Sequence, residues 1–324
     1  MRARARVAVM GATPQEPPPG IATIAEAVDV SYADAPEELR DALTGSDVLF
    51  AWRPRRRLLE EAWDGAGDLR WIQSASAGVD ALLFPALVES DVVLTNARGV
   101  FDQAIAEWVV GVFALFAKDL LGIVDRQRRG EWLHRETESL AGKRVVVVGV
   151  GPIGRAVGRA CGALGMRVRG VGRTPRNGDD AFETIHGIDE LAEAARWADY
   201  VVDALPSTQE THHAFGAEAF AAMGPQARFV NVGRGSTVDE GALVRALQEG
   251  ALAGAALDVF EEEPLPASSP LWSMPNVVVS PHMSGDFAGW HETVVELFIE
   301  NLERYLTGRP LLGVVDKRLG YVPS

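Results

Sequence analysis

The amino-acid sequence predicts an α/β protein with two doubly wound parallel-sheet domains. Strand-like and helical stretches alternate in residues 1–97 and again in residues 143–285, and an amphipathic stretch follows at residues 290–306. Four consecutive valines at residues 145–148 lead directly into a glycine-rich turn. Parallel strands need a crossover connection, usually a helix, so this alternation is typical of parallel sheets.

Short apolar runs define five candidate strands in the first block. The first run, Arg6–Met10, is too short for the apolar core of a signal peptide, and Pro14 follows soon after. No run of about 18 apolar residues exists, so we expect a cytoplasmic protein without a membrane span. The candidate strands are Arg6–Met10 and residues 27–32, 47–51, 69–73 and 92–95, and the clearest helices are Pro36–Leu43 and residues 57–63.

Residues 99–130 are predicted to contain a long helix with a broad apolar face. A helix this apolar needs a packing partner, so we expect it to link the two domains and to contribute to a homodimer. The apolar positions are Ala104, Ile105, Trp108, Val109, Val112, Phe113, Leu115 and Phe116.

The second block contains six candidate strands separated by helical stretches, which matches a doubly wound dinucleotide-binding fold. The amphipathic stretch at residues 290–306 comes after this block, so we expect it to return to the first domain. The predicted domains are residues 1–98 together with 287–324, and residues 99–286. The six candidate strands are residues 144–148, 167–171, 200–204, 228–232, 254–259 and 276–280.

The turn after the valine strand has the spacing G-x-G-x-x-G, at Gly149, Gly151 and Gly154. In this motif the first glycine permits a tight turn, the second lets the backbone approach a pyrophosphate, and the third lets the helix pack against the strand. Pro152 and Ile153 begin that helix, whose N-terminal N–H groups favour an anion. The strand before and the helix after the motif predict a dinucleotide site here.

The end of the next strand bears on the choice of cofactor. An NAD site usually has an acidic residue there, about 20 residues after the glycines, to bind the ribose 2′-hydroxyl. Arg173 and Thr174 occupy this place, and an arginine can pair with a 2′-phosphate. We therefore predict NADP in preference to NAD. The alternative is that Arg173 stacks on the adenine and NAD is used.

Composition excludes several other classes of function. A net charge of −14 argues against a nucleic-acid partner, because binding phosphates needs a basic face. The single cysteine, Cys161, excludes an intramolecular disulfide and a cysteine-based zinc site, and we expect it to be a buried core residue. We predict no metal site.

Three segments at the ends of late strands carry candidate catalytic residues: residues 229–236, 257–266 and 278–285. In an open α/β sheet these strand ends face the ligand crevice. A nicotinamide enzyme needs a group that exchanges a proton near neutral pH, and histidine suits that task. A neighbouring carboxylate fixes the imidazole tautomer, and an arginine can bind an acid substrate.

Together with the glycine turn, these segments resemble the D-isomer-specific 2-hydroxyacid dehydrogenases, which include glyoxylate/hydroxypyruvate reductases. Residues 76–80, Ser-Ala-Gly-Val-Asp, and residues 204–211, Ala-Leu-Pro-Ser-Thr-Gln-Glu-Thr, extend the resemblance over nearly the whole chain. It implies a Rossmann cofactor domain inserted in a flavodoxin-like substrate domain. It also implies three catalytic residues: Arg234 polarises the substrate carbonyl, Glu263 is the carboxylate partner, and His282 is the acid/base.

The resemblance implies further binding residues. The backbone N–H groups of Gly78 and Val79 would hold the substrate carboxylate, Arg234 and His282 would contact the substrate, and Trp52 would border it. On the cofactor side, Asp258 matches the aspartate that binds the nicotinamide carboxamide, and Pro206 lies in the wall around the adenine ribose. The remaining implied cofactor contacts are Thr211, Val232, Gly233, Arg234 and His282.

The predicted function is hydride transfer between NAD(P)H and a small 2-keto acid, which gives the D-2-hydroxy acid. One alternative is a relative that senses or binds the dinucleotide as a corepressor or scaffold without turnover. Another is a short phosphoglycerate dehydrogenase. The catalytic triad favours an enzyme.

Overall fold

A computed structural model describes residues 4–323 of the chain. The chain forms two compact units, one of Met1–Phe101 with Phe287–Ser324 and the other of Asp102–Asp286. The domain ranges predicted from the sequence, 1–98 with 287–324 and 99–286, stay a prediction.

The first unit contains a five-stranded parallel sheet in the order β2-β1-β3-β4-β5, the flavodoxin-like arrangement. Its third and fourth strands, Val48–Ala51 and Trp71–Ser74, are buried on both faces, as expected of a parallel sheet covered by helices. The predicted strands all exist, with ends that differ by one or two residues. The strands are β1 (Arg6–Met10), β2 (Asp29–Ala33), β3 (Val48–Ala51), β4 (Trp71–Ser74) and β5 (Val93–Thr95).

Helices and short 3₁₀ turns complete this unit. The C-terminal helix, Trp290–Leu306, packs on the sheet as its amphipathic pattern predicts: the Phe298 ring stacks on Phe50 with centroids 4.2 Å apart, and Asn301 Nδ2 donates to Gln73 Oε1 at 2.9 Å. The helices are α1 (Pro36–Leu43), α2 (Arg56–Glu61), α3 (Pro85–Glu89) and, at the C-terminus, α10 (Trp290–Leu306), and the 3₁₀ turns are Ile21–Glu26 and Trp63–Asp68.

The second unit contains an eight-stranded sheet in the order β13-β12-β11-β10-β6-β7-β9-β8. All neighbours are parallel except the outermost pair, β8 and β9. The strands β9, β7, β6, β10, β11 and β12 reproduce the doubly wound order 3-2-1-4-5-6, and β13 adds a strand beyond it. The strands are β6 (Arg144–Val148), β7 (Arg167–Gly172), β8 (Arg176–Asn177), β9 (Thr184–Gly187), β10 (Tyr200–Asp203), β11 (Arg228–Asn231), β12 (Gly254–Leu257) and β13 (Val277–Val279).

Helices cover both faces of the second sheet and connect its parallel strands. The helices are α4 (Asp102–Ala117), α5 (Leu120–Arg129), α6 (Pro152–Ala163), α7 (Leu191–Trp197), α8 (Ala217–Ala222) and α9 (Glu240–Gln248), and the 3₁₀ turns are Ile188–Glu190, Gly235–Thr237 and Pro270–Ser273.

Two expectations about this unit need correction. The sequence predicts six strands, but β8 and β9 are also present; β9 is short, with alternating half-buried and buried residues, and it lacks the continuous apolar run that identifies the central strands. The long helix expected within residues 99–130 is two helices. Asp119 breaks it with a left-handed backbone (φ 48°), and its carboxylate caps α5 by accepting from Gly122 N–H at 3.2 Å.

The apolar face of α4 is buried within its own unit. Phe113 is fully buried against Tyr200, with ring centroids 4.2 Å apart, and α4 packs on α6. This packing accounts for much of the apolar character that the sequence analysis attributed to a domain link and a dimer. Cys161 on α6 is fully buried, and burial raises the pKa of its thiol to about 12, as expected of a core residue.

No helix within residues 4–323 is both long enough and apolar enough to cross a bilayer. The same residues contain no group of three or more His, Cys, Asp or Glu side chains arranged to hold a metal ion.

Candidate active site

The glycine turn after β6 has the geometry that its motif predicts. Gly149 has a left-handed backbone (φ 102°), and a Cβ there would lie 2.5 Å from Ala204 O. A Cβ on Gly154 would lie 1.8 Å from Gly149 O, so only glycine permits this contact between helix and turn. By contrast, a Cβ on Gly151 would meet nothing within 4 Å, and Gly151 is exposed.

These observations fit a dinucleotide. The space around Gly151 allows a pyrophosphate to approach the backbone, while Gly149 and Gly154 maintain the tight turn. Helix α6 begins at Pro152 after Gly151 without a side-chain cap, so its first N–H groups are available to an anion. Pro152 and Ile153 are half-buried in its first turn.

Arg173 and Thr174 follow the end of β7, and both are exposed. The pKa of the Glu210 carboxyl is lowered, mainly by hydrogen bonds with its own backbone and with Thr208. The positive charge of Arg173 adds to this lowering. Arg176 on β8 lies near the same strand end, because a Cβ on Gly172 would be 3.9 Å from its Nη1. Two guanidinium groups therefore lie where β7 ends.

Arg155 lies one turn into α6, where an arginine can either contact a pyrophosphate or form a surface ion pair. It forms an ion pair with Asp179, with Nη2 2.7 Å from Oδ2, and a longer one with Asp180 at 3.6 Å. These contacts favour the second alternative.

The loop after β10 contains Pro206 and Thr211. The Thr211 hydroxyl donates to Pro206 O at 2.6 Å and lies 3.1 Å from the Thr208 hydroxyl, so these residues form one hydrogen-bonded turn. The loop after β11, which contains Val232 and Gly233, approaches this turn. A Cβ on Gly233 would lie 2.7 Å from Leu205 O.

His282 and Glu263 are in direct contact although 19 positions separate them. His282 Nδ1 lies 2.7 Å from Glu263 Oε2. The hydrogen bond that His282 donates to the Glu263 carboxylate is the main reason that the pKa of His282 is raised, against the opposing effect of burial. Because Nδ1 is engaged by the carboxylate, Nε2 is the ring nitrogen left to exchange a proton with a ligand.

Glu263 is held at both carboxylate oxygens. Oε1 accepts from Phe260 N–H at 3.0 Å, and Oε2 contacts His282. Burial acts to raise the pKa of Glu263, but the hydrogen bonds from His282 and Phe260 outweigh it, and the pKa is lowered. The pair is therefore poised as a carboxylate and an imidazolium.

Arg234 lies on the loop between β11 and the turn Gly235–Thr237. Its positive charge acts on both members of the pair, because it contributes to the pKa shifts of Glu263 and His282. Gly235 makes this loop possible: a Cβ there would lie 1.8 Å from Phe260 C and O. The three residues predicted to be catalytic thus belong to segments that approach one another within the second unit.

Asp258, at the end of β12, organises the backbone around His282. Its carboxylate accepts from the Ser280 hydroxyl at 2.6 Å and from the N–H groups of Met283 and Ser284, each at 2.9 Å. His282 N–H donates to Asp258 O at 2.8 Å, and His282 has a left-handed backbone, φ 53°. A non-glycine residue in this conformation is typical of a functional site. The predicted nicotinamide contact of Asp258 stays a prediction.

Gly78 and Val79 lie in the first unit, in the turn after β4. Ser76 and Asn96 hold this turn: the Ser76 hydroxyl donates to Gly78 O at 2.7 Å, and Asn96 Nδ2 donates to Ala77 O at 2.5 Å. Among the hydrogen bonds of residues 4–323, none has the N–H of Gly78 or Val79 as its donor. Both groups thus suit the predicted role of binding an anion.

Trp52 follows β3, at the same sheet edge as the turn after β4. Its ring packs with Trp290 and His291, at centroid distances of 6.2 Å and 5.1 Å. The structure thus places Trp52 in an aromatic cluster of the first unit, and its contact with a substrate stays a prediction.

Several residues that support the site were absent from the sequence prediction. Asn96 and Ser76 hydrogen-bond to the turn of Gly78. Gly235 lets the Arg234 loop approach Phe260. Thr237 hydrogen-bonds to Arg234 O and contacts Asp203. Only glycine at position 235, beside Arg234, gave a local signal in the sequence. Asn96, Asp203 and Thr237 act through partners distant in sequence, whereas Ser76 acts within its own turn.

Comparison with known proteins adds independent findings. Residues 110–284 match the family model described as "D-isomer specific 2-hydroxyacid dehydrogenase, NAD binding domain". A glyoxylate reductase of Thermococcus gammatolerans is 32% identical over 272 residues, which cover 81% of each chain.

A D-3-phosphoglycerate dehydrogenase of Methanocaldococcus jannaschii is 31% identical over 89% of this chain, but the chain spans only 55% of that relative's length. Among solved structures, an NADPH-dependent glyoxylate/hydroxypyruvate reductase of Sinorhizobium meliloti, in complex with NADP and sulfate, superposes with a TM-score of 0.83. It is 30% identical, and the match covers 98% of this chain and all of that one.

Proposed function

The chain belongs to the D-isomer specific 2-hydroxyacid dehydrogenases, and from that premise we propose that it reduces a small 2-keto acid to the D-2-hydroxy acid. The observation that carries the proposal is the His282–Glu263 pair, held at 2.7 Å within range of the Arg234 charge. This pair lies in the same unit as a glycine turn whose shape fits a dinucleotide.

A reduced nicotinamide held at the glycine turn of Gly149, Gly151 and Gly154 would supply the hydride for the carbonyl carbon of the keto acid. His282 gives the proton from Nε2 to the carbonyl oxygen, and Glu263 stabilises the imidazolium before that transfer. Arg234 polarises the carbonyl and binds the substrate carboxylate. The products are the 2-hydroxy acid, the oxidised nicotinamide and a neutral His282, which solvent reprotonates.

We assign the remaining binding roles as follows. The N–H groups of Gly78 and Val79 bind the substrate carboxylate, and Trp52 borders the substrate. Asp258 binds the nicotinamide carboxamide through the acceptor capacity that remains beyond its three internal hydrogen bonds. The residues assigned to the rest of the cofactor are Gly149, Gly151, Pro152, Ile153, Gly154, Arg173, Thr174, Pro206, Thr211, Val232 and Gly233.

NADPH is the preferred cofactor in this proposal. The support is the pair of guanidinium groups, Arg173 and Arg176, at the end of β7, where an acidic residue would favour NADH. An Arg173→Asp variant should shift the ratio of kcat/KM toward NADH by at least about tenfold, the loss of one charge-assisted contact. Equal kcat/KM for the two cofactors in the wild type would contradict the preference.

A panel of 2-keto acids, assayed with both reduced cofactors, tests the activity. Glyoxylate and hydroxypyruvate are the first members, since similar enzymes carry those names. Turnover of either supports the proposal. Turnover of a phosphorylated 2-keto acid alone would indicate a short phosphoglycerate dehydrogenase, and cofactor binding without any turnover would indicate a sensor or scaffold.

We also propose a homodimer that involves α5 and the segment after it. Leu121 and Ile123 on α5 are 48% and 43% exposed, and Trp132 is fully exposed. Exposed large apolar side chains this close together in the chain are typical of an interface. Light scattering should find a dimer in the wild type and a monomer in Trp132→Glu, while Trp272→Glu, at another exposed tryptophan, should remain dimeric. A monomeric wild type at micromolar concentration would refute this.

A cytoplasmic location stays a prediction, which cell fractionation would test.

A further inference from the structure

Asp203 is a fully buried carboxyl group that the proposed mechanism does not use. It ends β10, between Val148 on β6 and Asn231 on β11. Its Oδ1 accepts from Leu205 N–H at 2.9 Å, and its Oδ2 contacts the Thr237 hydroxyl. A buried carboxyl without a cationic partner is costly unless it is neutral and hydrogen-bonded.

The contacts of Thr237 require one more proton than an ionised Asp203 provides. The Thr237 hydroxyl lies within hydrogen-bond distance of two oxygen acceptors, Asp203 Oδ2 and Arg234 O, the second at 2.5 Å. A hydroxyl has a single hydrogen, so it can donate to only one of them. If Asp203 is ionised, two oxygen lone pairs face each other across one of these short contacts. A protonated Asp203 satisfies both.

We propose that Asp203 is a positioning residue for Arg234. Its protonated carboxyl donates to Thr237 Oγ1, and the Thr237 hydroxyl in turn donates to Arg234 O. Asn231 supports the same loop, with Nδ2 donating to Arg234 O at 3.1 Å and Oδ1 accepting from Gly233 N–H at 2.9 Å. This inference rests on the proposed function, in which Arg234 binds the substrate.

The surroundings of Asp203 fit a neutral group. The elements packed against it bring Val148, Asn231 and Thr237, none of which titrates. The charged or titratable residues on the adjoining turns include Glu210, His213, whose backbone N–H donates to Ser236 O, and Arg234, whose Nη1 donates to Gly233 O at 2.7 Å. Burial raises the pKa of Asp203 to about 7, although the hydrogen bonds that its ionised form accepts from Thr237 and Leu205 act to lower it.

The arrangement makes substrate binding sensitive to pH. When Asp203 loses its proton, the Thr237 hydroxyl must turn to the new carboxylate, and Arg234 O loses that donor. The Arg234 loop is then held less firmly, and KM for the keto acid rises. An Asp203→Asn variant keeps a donor toward Thr237 through Nδ2 and an acceptor toward Leu205 N–H through Oδ1, so it should not show this rise.

The experiment compares KM profiles of wild type, Asp203→Asn and Asp199→Asn between about pH 6 and about pH 8.5. The wild-type KM should rise about fivefold more than that of Asp203→Asn, the effect of one net hydrogen bond. Asp199 precedes the same strand and pairs with Arg144 away from the Arg234 loop, so its variant is a matched control and should follow the wild type. Parallel profiles for wild type and Asp203→Asn would overturn the inference.

Infrared difference spectroscopy separates this inference from the proposed function, because it needs no turnover. At about pH 6 the wild type minus Asp203→Asn spectrum should contain the carbonyl stretch of a protonated carboxyl. Its absence shows that Asp203 is ionised and rejects the inference, even if 2-keto acids are reduced. Its presence without turnover supports the protonated relay and rejects only the enzyme proposal.

Thr237→Val provides a second route if Asp203→Asn does not fold. Valine keeps the shape of threonine but removes the hydroxyl, so the carbonyl band of Asp203 should shift and KM should already be raised at about pH 6. Thr237→Ser, which keeps the hydroxyl, should restore the wild-type band and KM. An unshifted band in Thr237→Val would show that Asp203 does not donate to Thr237.

Discussion

Two of the histidine–glutamate pairs in the second unit have nearly the same local geometry. His282 Nδ1 is 2.7 Å from Glu263 Oε2, and His213 Nε2 is 2.6 Å from Glu261 Oε1. Both histidines have left-handed backbones, with φ of 53° and 51°. We propose a catalytic role only for His282 and Glu263. The short distance between ring and carboxylate is common to both pairs and therefore does not distinguish the catalytic pair.

The difference lies in the surroundings of each pair. Glu263 is held at its second oxygen by Phe260 N–H, His282 is anchored through its backbone to Asp258, and the Arg234 charge acts on both members. The ring of His213 instead stacks on His212, with centroids 4.0 Å apart, on an exposed loop.

The two pairs also differ in the ring nitrogen that remains available. Glu263 engages Nδ1 of His282, whereas Glu261 engages Nε2 of His213. A His282 bound through Nδ1 presents Nε2, the nitrogen farther from the backbone, to a ligand. The comparison shows that a catalytic pair is identified by its supports and orientation rather than by one short contact.

The largest difference is expected when each histidine is removed. His282→Ala should lower kcat for keto-acid reduction by about 10²–10⁴-fold, the usual contribution of a general acid, while His213→Ala should change it by less than about twofold. Steady-state kinetics at saturating substrate measures both, and fluorescence titration should find cofactor binding retained. A comparable loss of kcat in the two variants would remove the distinction between the pairs.

Removal of each carboxylate should separate the pairs by pH. The protonated form of His282 is the acid, and Glu263 raises its pKa, so reduction persists to higher pH than an ordinary histidine allows. In Glu263→Gln this pKa falls, and the alkaline limb of the kcat profile should move to lower pH.

Glu261→Gln is the matched control for this experiment, because it makes the same change at the other pair. It should leave the alkaline limb of kcat in place. Measurement of kcat at saturating substrate limits the effect of Asp203, which acts on KM. Identical limbs for the wild type and Glu263→Gln would show that Glu263 does not set the pKa of the acid.

Much of the fold could be predicted because it depends on local patterns. The buried runs of the central strands and the glycine triplet are continuous in sequence, and β1, β6 and α10 lie where those patterns place them. The strands β8 and β9 are short, β8 has no apolar residue and β9 is only partly apolar, so no local pattern identifies them. The break at Asp119 depends on a side chain that caps the following helix, which apolar periodicity does not reveal.

For the site, the sequence predicts the catalytic residues but not the residues that support them. Arg234, Glu263 and His282 could be named through resemblance, whereas their supports depend on contacts between distant segments. Gly235 is required because Phe260, 25 positions later, approaches its Cα, and Thr237 contacts Asp203 across 34 positions. No local sequence pattern indicates which of these residues are in contact. The protonation of Asp203 is inferred from its contact with Thr237 in the folded chain.

The smallest effect is expected on stability, and it tests whether the activity differences come from chemistry or from folding. Both pairs are substantially exposed: the side chains of His213 and Glu261 are 41% and 40% exposed, and those of His282 and Glu263 are 51% and 36%. Exposed ion pairs contribute little, because solvent screens the charges and the side chains lose entropy. Glu261→Gln and Glu263→Gln should therefore each change the free energy of unfolding by less than about 1 kcal/mol in urea denaturation at neutral pH.

In Glu263→Gln, the glutamine can still accept from Phe260 N–H through its carbonyl oxygen, which keeps the loop of residue 263 in place. A loss of several kcal/mol in Glu263→Gln alone would mean that its carboxylate holds the loop together, and the pH shift would then reflect a displaced His282 rather than an altered pKa.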